Sequence, residues 1–153
     1  MQAVCRRATV RDLPAIIDLL VDDDLGKTRE EPGPPPNPRY AEAFAAIDSD
    51  PNQLFAVVEE AGAIVGCLQL SFIPGLSLVG MWRGQIESVR IASSRRGGGL
   101  GRFMFEWAIA ECGRRGCGLV QLTMNKSRID ALRFYESLGF VATHEGFKLA
   151  LRT

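Results

Sequence analysis

The sequence predicts an α+β protein, or a mixed α/β sandwich of the same elements, with one sheet and helices on both its faces. Three observations lead there. Segments of strand and helix period follow one another in the order β-α-α-β-β-β-α-β-α-β-β. Two strand-like runs, 53–59 and 63–72, are separated only by Glu60-Ala61-Gly62, which reads as a tight hairpin. Residues 100–114 form a helical pattern whose apolar face (Leu100, Met104, Trp107 and Ala108, widened by Phe105, Ile109 and Cys112) is broad enough to lie on a sheet.

Taken in order, Val4 to Ala8 is short and β-tolerant, a first strand. Thr9 stands three residues before Asp12, a capping-box spacing with Asp in place of Glu, and Leu13, Ile16, Ile17, Leu20 and Val21 follow at helical spacing. The first helix is therefore expected over 10–23. Asp22-Asp23-Asp24, Glu30-Glu31 and Pro32-Gly33-Pro34-Pro35-Pro36 make a loop too polar and proline-rich to continue it. A second helix is expected from Arg39 to Ile47, ending before Asp50-Pro51. After the hairpin, Pro74-Gly75 opens a longer turn and Arg83 to Ile91 is the next strand. Gly116 and Gly118 end the helix over 100–114, and Leu119 to Thr123 is a short buried strand. Ile129 to Leu138 is a last helix, closed by Gly139 as a left-handed cap. Phe140–Thr143 and Phe147–Leu151 are expected as two final strands.

At 153 residues the chain has the size of one domain, 1–153, able to bury roughly two-thirds of its unfolded surface. Its 46% hydrophobic and 24% charged residues are those of a globular protein in water. No apolar run approaches the ~20 residues that span a membrane, and the N-terminus shows no signal or transit pattern, so a cytoplasmic location without membrane partners is expected. Cys5, Cys67, Cys112 and Cys117 lack C-x-x-C spacing and a nearby His pair, which argues against a metal site. Charge is segregated: 6 Lys and Arg against 12 Asp and Glu in residues 1–80, and 12 against 6 in residues 81–153. That suits an anionic cofactor on the C-terminal half and a cationic or amphoteric acceptor near the other, or simply two solvated faces that attract. Neither half is basic enough to suggest nucleic acid as a partner.

The run Ser94-Arg95-Arg96-Gly97-Gly98-Gly99-Leu100-Gly101-Arg102 lies between a strand and a helix. Glycines let backbone N–H groups turn inward, a helix start adds free N–H groups and the positive end of its dipole, and arginines add forked donors suited to phosphate. A pyrophosphate-binding loop is one reading; a flexible basic loop is the other. Walker A fails for want of a Lys and a hydroxyl after the glycine, and the G-x-G-x-x-G dinucleotide fingerprint fails in every register. R-x-x-G-x-G fits as Arg96-Gly97-Gly98-Gly99-Leu100-Gly101. That motif resembles the acetyl-CoA loop of the GNAT N-acetyltransferase superfamily. The segment Ala131-Leu132-Arg133-Phe134-Tyr135-Glu136-Ser137-Leu138-Gly139-Phe140 resembles the same family's A-x-x-[FL]-Y-x-x-x-G-F signature.

The order of elements is also that of the GNAT fold, so the resemblance covers nearly the whole chain and implies a single, mostly antiparallel central sheet. It implies an acetyl-CoA-dependent acetyltransferase in which Arg96, Gly97, Gly98, Gly99, Leu100, Gly101 and Arg102 hold the CoA phosphates, with Arg95 as an outer charge. Backbone groups of Val89, Arg90 and Ile91 would pair with the pantetheine arm as an added strand. The acceptor implied is a primary amine on a small molecule, attacking the thioester in a ternary complex without a metal. The stretch from Thr123 to Tyr135 is similar to bacterial small-molecule members related to aminoalkylphosphonate acetyltransferases. Those relatives often carry His where this chain has Leu132, so no role of that His transfers.

Two side chains stand out for chemistry. Strict alternation along 84–91 puts Glu87 on the side of Val89 and Ile91, a partly apolar setting that would raise a carboxyl pKa toward that of a useful general base. The resemblance assigns an acidic residue of this strand that role; a Glu paired with Arg83 or Arg90 is the alternative. Tyr135 has a phenol of pKa near 10, a fitting acid for a departing thiolate, and is otherwise a packing residue. Asn125 reads either as a pantetheine contact or as a turn residue. His144 is the lone histidine and more suited to packing than catalysis. A non-catalytic acetyl-CoA sensor of the same fold, a protein N-terminal or lysine acetyltransferase, and another nucleotide-phosphate binder stand as alternatives. A homodimer is compatible with the fold, though no residue here requires it.

Overall fold

The computed structural model describes residues 2–23 and 25–152. Asp24, part of the acidic loop read from the sequence, lies outside them. Two compact units are present, Met1–Gln121 and Leu122–Thr153.

The elements are β1 (Val4–Arg7), α1 (Leu13–Val21), α2 (Gly26–Arg29), α3 (Arg39–Ser49), β2 (Gln53–Glu60), β3 (Ala63–Ile73), α4 (Ser77–Gly80), β4 (Arg83–Ile91), α5 (Leu100–Arg114), β5 (Leu119–Leu122) and α6 (Ile129–Ser137). Single 3₁₀ turns occupy Val10–Asp12 and Ser93–Arg95. Pro14 in the first turn of α1 removes an N–H that the helix would leave unbonded in any case. The Thr9–Asp12 pairing expected from the sequence is present: Thr9 N–H donates to Asp12 Oδ2 at 2.7 Å. α4 is a turn rather than a regular helix, because Leu78 and Val79 both sit at left-handed φ, 56° and 60°.

The strands form one sheet in the order β1-β2-β3-β4-β5, with β1 to β4 joined antiparallel. Gly118 N–H bonds the Trp82 carbonyl and Gln121 Nε2 donates to Gln85, so β5 runs alongside β4 in the same direction. The sheet is thus mixed and mostly antiparallel, and the fold is α+β as expected.

Each face of the first unit has its own helical layer. Ile16 and Leu19 of α1 and Phe44 of α3 pack on Phe55, Val57 and Cys67. On the opposite face α5 buries Leu100, Met104, Phe105, Ala108 and Cys112. Two strand glycines admit that helix: a Cβ at Gly66 would lie 2.8 Å from Met104 Sδ, and one at Gly84 only 2.3 Å from Cys112 Sγ.

The two C-terminal strands read from the sequence are not formed. Among the described residues no strand pairs with Phe140–Thr143 or Phe147–Leu151, and Val141, Phe147, Leu149 and Leu151 are exposed, Phe147 at 93%. Alternation alone does not hold a strand; the ladder and the buried face do. α6 ends as expected: Gly139, at φ 98°, donates its N–H to the Glu136 carbonyl and Phe140 N–H reaches the Tyr135 carbonyl.

Candidate active site

β4 carries the local irregularity on which the site turns. Cys67 pairs with Arg90 and Gln69 with Glu87, so Leu68 alone faces both Ser88 and Val89. Ser88, at φ 55°, is the residue that makes the bulge. Its carbonyl accepts the Cys67 thiol at 3.6 Å, and burial pushes that thiol up to about 12.

The bulge corrects the alternation expected from sequence. Glu87 shares a face with its cross-strand partner Gln69 and with Arg90 and Cys67, whereas Ile91 falls on the α5 face with Ile86. Glu87 is exposed on the α1/α3 face, not set among Val89 and Ile91. Around it the sheet surface is polar. Gln53 Oε1 accepts from both Gln69 Nε2 and Ser71 Oγ at 3.0 Å, and Gln121 meets Gln85 at 2.9 Å. Gln53, Ser71 and Gln85 are consecutive register partners, so amides and a hydroxyl form a band across the strands.

Beyond β4, the glycine-rich segment enters α5 through left-handed glycines. Gly97 and Gly99 both have φ 83°, and Gly99 is the N-cap, its carbonyl accepting from Phe103 N–H at 3.2 Å. A Cβ on either would meet nothing within 4 Å, so conformation rather than space calls for glycine there. Leu100 anchors the first turn in the core, which sets the N-terminal turn of a fifteen-residue helix, the positive end of its dipole, beside Gly97–Gly99.

Acidic residues after α1 hold this segment. Asp22 Oδ2 accepts Ser93 N–H at 3.0 Å, which keeps its carboxyl below the usual range, and the Asp22 carbonyl accepts from Arg96 at 2.7 Å. Asp23 Oδ2 lies 2.6 Å from Arg90 Nε, and Arg95 pairs with Glu60. Arg102 is 3.9 Å from Glu106, one turn on. Val89, Arg90, Ile91 and the Arg96–Arg102 segment thus belong to one continuous stretch of the first unit.

Asn125 and Tyr135 belong to the second unit. Asn125 Oδ1 accepts both the N–H and the hydroxyl of Ser127, at 3.0 and 2.7 Å, the geometry of a turn residue. The Tyr135 ring is half-buried, 5.7 Å from Phe134 and 6.1 Å from Phe140 between centroids, the latter edge-on. His144 is exposed, its Nδ1 2.6 Å from Thr143 Oγ1.

A cavity of about 310 Å³ lies on the same face as Glu87. α1 and α3 supply an apolar wall, Gln69 and Ser88 reach it from the sheet, and Glu31, Asn37, Arg39 and Tyr40 complete the lining. Tyr40 pins that last group: its hydroxyl accepts Glu31 N–H at 2.8 Å and donates to Glu30 Oε1 at 2.7 Å. None of the lining residues comes from the 74–82 turn. Sequence reasoning passed over Gln69, Ser88 and Tyr40; the one clue available was a Gln at 69 inside an otherwise largely apolar strand.

Comparison with known proteins shows the family. The model of the acetyltransferase (GNAT) family matches residues 14–140. The aminoalkylphosphonate N-acetyltransferase of Salmonella typhimurium is 31% identical over 112 residues, 73% of this chain and 72% of that protein. A crystal structure of a transcriptional regulator from Bacillus halodurans superposes with a TM-score of 0.95 at 45% identity, covering 98% of this chain and all of that one. An acetyltransferase of Trypanosoma brucei gives 0.79 at 27% identity over 98% of this chain and 100% of that one. The chain belongs to the GNAT family and is an acetyl-CoA-dependent N-acetyltransferase.

Proposed function

We propose that the protein transfers the acetyl group of acetyl-CoA to a primary amine of a small molecule. The observation that carries this is the continuity of one stretch. β4 presents Glu87 and Ser88 on the side of the cavity, then runs directly into the left-handed glycines at the start of α5. CoA phosphates would lie at the N–H groups of Gly97–Gly101, with Arg96 and Arg102 as charge partners, and the pantetheine arm along the backbone of Val89–Ile91. Glu87 takes a proton from the acceptor ammonium, directly or through a water. The freed nitrogen attacks the thioester carbonyl, the C–S bond breaks as Tyr135 gives its proton to the leaving thiolate, and the extra proton on the new amide nitrogen is lost to solvent, from which Tyr135 is reprotonated. Asn125 is assigned to the pantetheine side.

The test is release of free thiol from acetyl-CoA against a panel of amines. Glu87→Gln and Tyr135→Phe are each expected to lower kcat at least tenfold with acetyl-CoA affinity unchanged. Wild-type rates in both variants would refute the assigned roles.

A further inference from the structure

We propose, building on the transferase reading above, that the acceptor is an amphipathic amine whose hydrocarbon body lodges against α1 and α3 while its amino group meets the sheet at Gln69 and Ser88. The wall of the 310 Å³ cavity is formed by Leu13, Ile16, Ile17, Leu20, Phe44 and Ile47, with Phe55 beneath them. Glu31 and Arg39 are the charged groups of its lining, and both are exposed. Glu31 is engaged by Asn37, whose Nδ2 donates to Oε1 at 3.3 Å.

This distribution decides between classes of amine. An acceptor with several ammonium groups needs a carboxylate, or a wet polar wall, at each of them. Here the second and third charges would be set against leucine, isoleucine and phenylalanine, where an unpaired ion is strongly disfavoured. A hydrocarbon chain or ring gains from the same surface, at about fourfold in affinity for each methylene removed from water. The opposite end of the cavity is chemically distinct. Gln69 is tied to Gln53 at 3.0 Å, and Glu87 is its cross-strand partner on the same face. Outside the Glu31–Tyr40 segment, the lining is apolar on α1, α3 and Phe55 and polar at Gln69 and Ser88, which matches an amine with a hydrocarbon body.

The experiment measures binding of n-alkylamines from ethyl to octyl, and of spermidine, to the full-length protein by calorimetry, which needs no turnover, with acetyl-CoA binding measured beside it. Affinity is expected to rise about fourfold per methylene until the chain outgrows the cavity, with spermidine at least a hundredfold weaker than octylamine. Ala43→Asp places a carboxylate on the lining at an exposed α3 position that does not disturb folding. It is expected to weaken octylamine tenfold or more while strengthening spermidine. Flat affinity along the series, spermidine preferred by the wild type, or an Ala43→Asp variant indistinguishable from it overturns the proposal. Failure of acetyl-CoA to bind would overturn the transferase reading instead, so the two are read separately.

Discussion

Alanine at Gly84 is expected to destabilise the protein by about 1–3 kcal/mol, the usual cost of overfilling a packed core. The new Cβ would stand 2.3 Å from Cys112 Sγ and 3.1 Å from Cys112 Cβ. Cys112 is fully buried and short, so its sulfur has no flexible end to swing aside; α5 or β4 must shift. For a chain of this length that corresponds to about 2–4 °C in Tm for each kcal/mol. Urea denaturation followed by circular dichroism gives the loss directly, provided the m-value is unchanged. Repeating the substitution in a Cys112→Ala background removes the 2.3 Å contact and leaves the 3.1 Å one. The penalty should then fall by more than half, a coupling of about 1 kcal/mol or more between the two sites. A cost below about 0.5 kcal/mol, or one equal in both backgrounds, would refute the packing argument.

Other expectations follow from geometry. Asp12, held by two Arg6 nitrogens at 2.8 and 3.0 Å, has its carboxyl depressed chiefly by that pairing. Its contribution is complete above the ordinary carboxylate value of 3.8 and is lost as pH falls through its lower folded value. Asp12→Asn should therefore be less stable at pH 7 and lose less on acidification, and parallel stability curves would contradict this. Gly99→Val forces a β-branched residue to φ 83° and should weaken acetyl-CoA binding tenfold or more, with Gly99→Asn closer to wild type; equal affinities would remove the left-handed turn from the site. Burial raises the thiols of Cys5 and Cys67 to about 12 and that of Cys112 to about 11. Native protein at pH 8 should react with a thiol reagent far more slowly at these positions than unfolded chain. Because the unfolded thiols ionise first, stability should decline as pH rises past about 9.

Much of the fold was legible in the sequence because its signals were local. The hairpin turn, the bounds of β4, the broad apolar face of α5 and the cap at Gly139 each depend on a few neighbouring residues. The bulge was not legible. Nothing about a serine at 88 announces φ 55°, since the extra residue is defined only by its pairing with Leu68 across β3. That one residue moves Ile91 off the face of Glu87 and brings Arg90 onto it, so the surroundings of Glu87 could not be read from alternation. The cavity was hidden for a similar reason. Leu13, Ile16 and Leu20 carry the same periodicity whether they bury against a sheet or line a space left open. The C-terminal segments show the reverse error: Phe140–Thr143 and Phe147–Leu151 read as strands, and among the described residues the structure forms neither.

The two helical layers of the first unit have separate fates under mutation. α5 is bound to the sheet through glycines that tolerate almost no added volume, and it continues the segment that carries Gly97–Gly101. The α1/α3 layer borders an open space, where an exposed lining residue such as Ala43 can grow or change charge without compressing the core. Drift in sequence is therefore cheap on one side of the sheet and costly on the other. If the cavity holds the acceptor as proposed, single substitutions on α1, α3 and around Tyr40 change what is accepted while the α5 side of the sheet and its glycine entry stay intact.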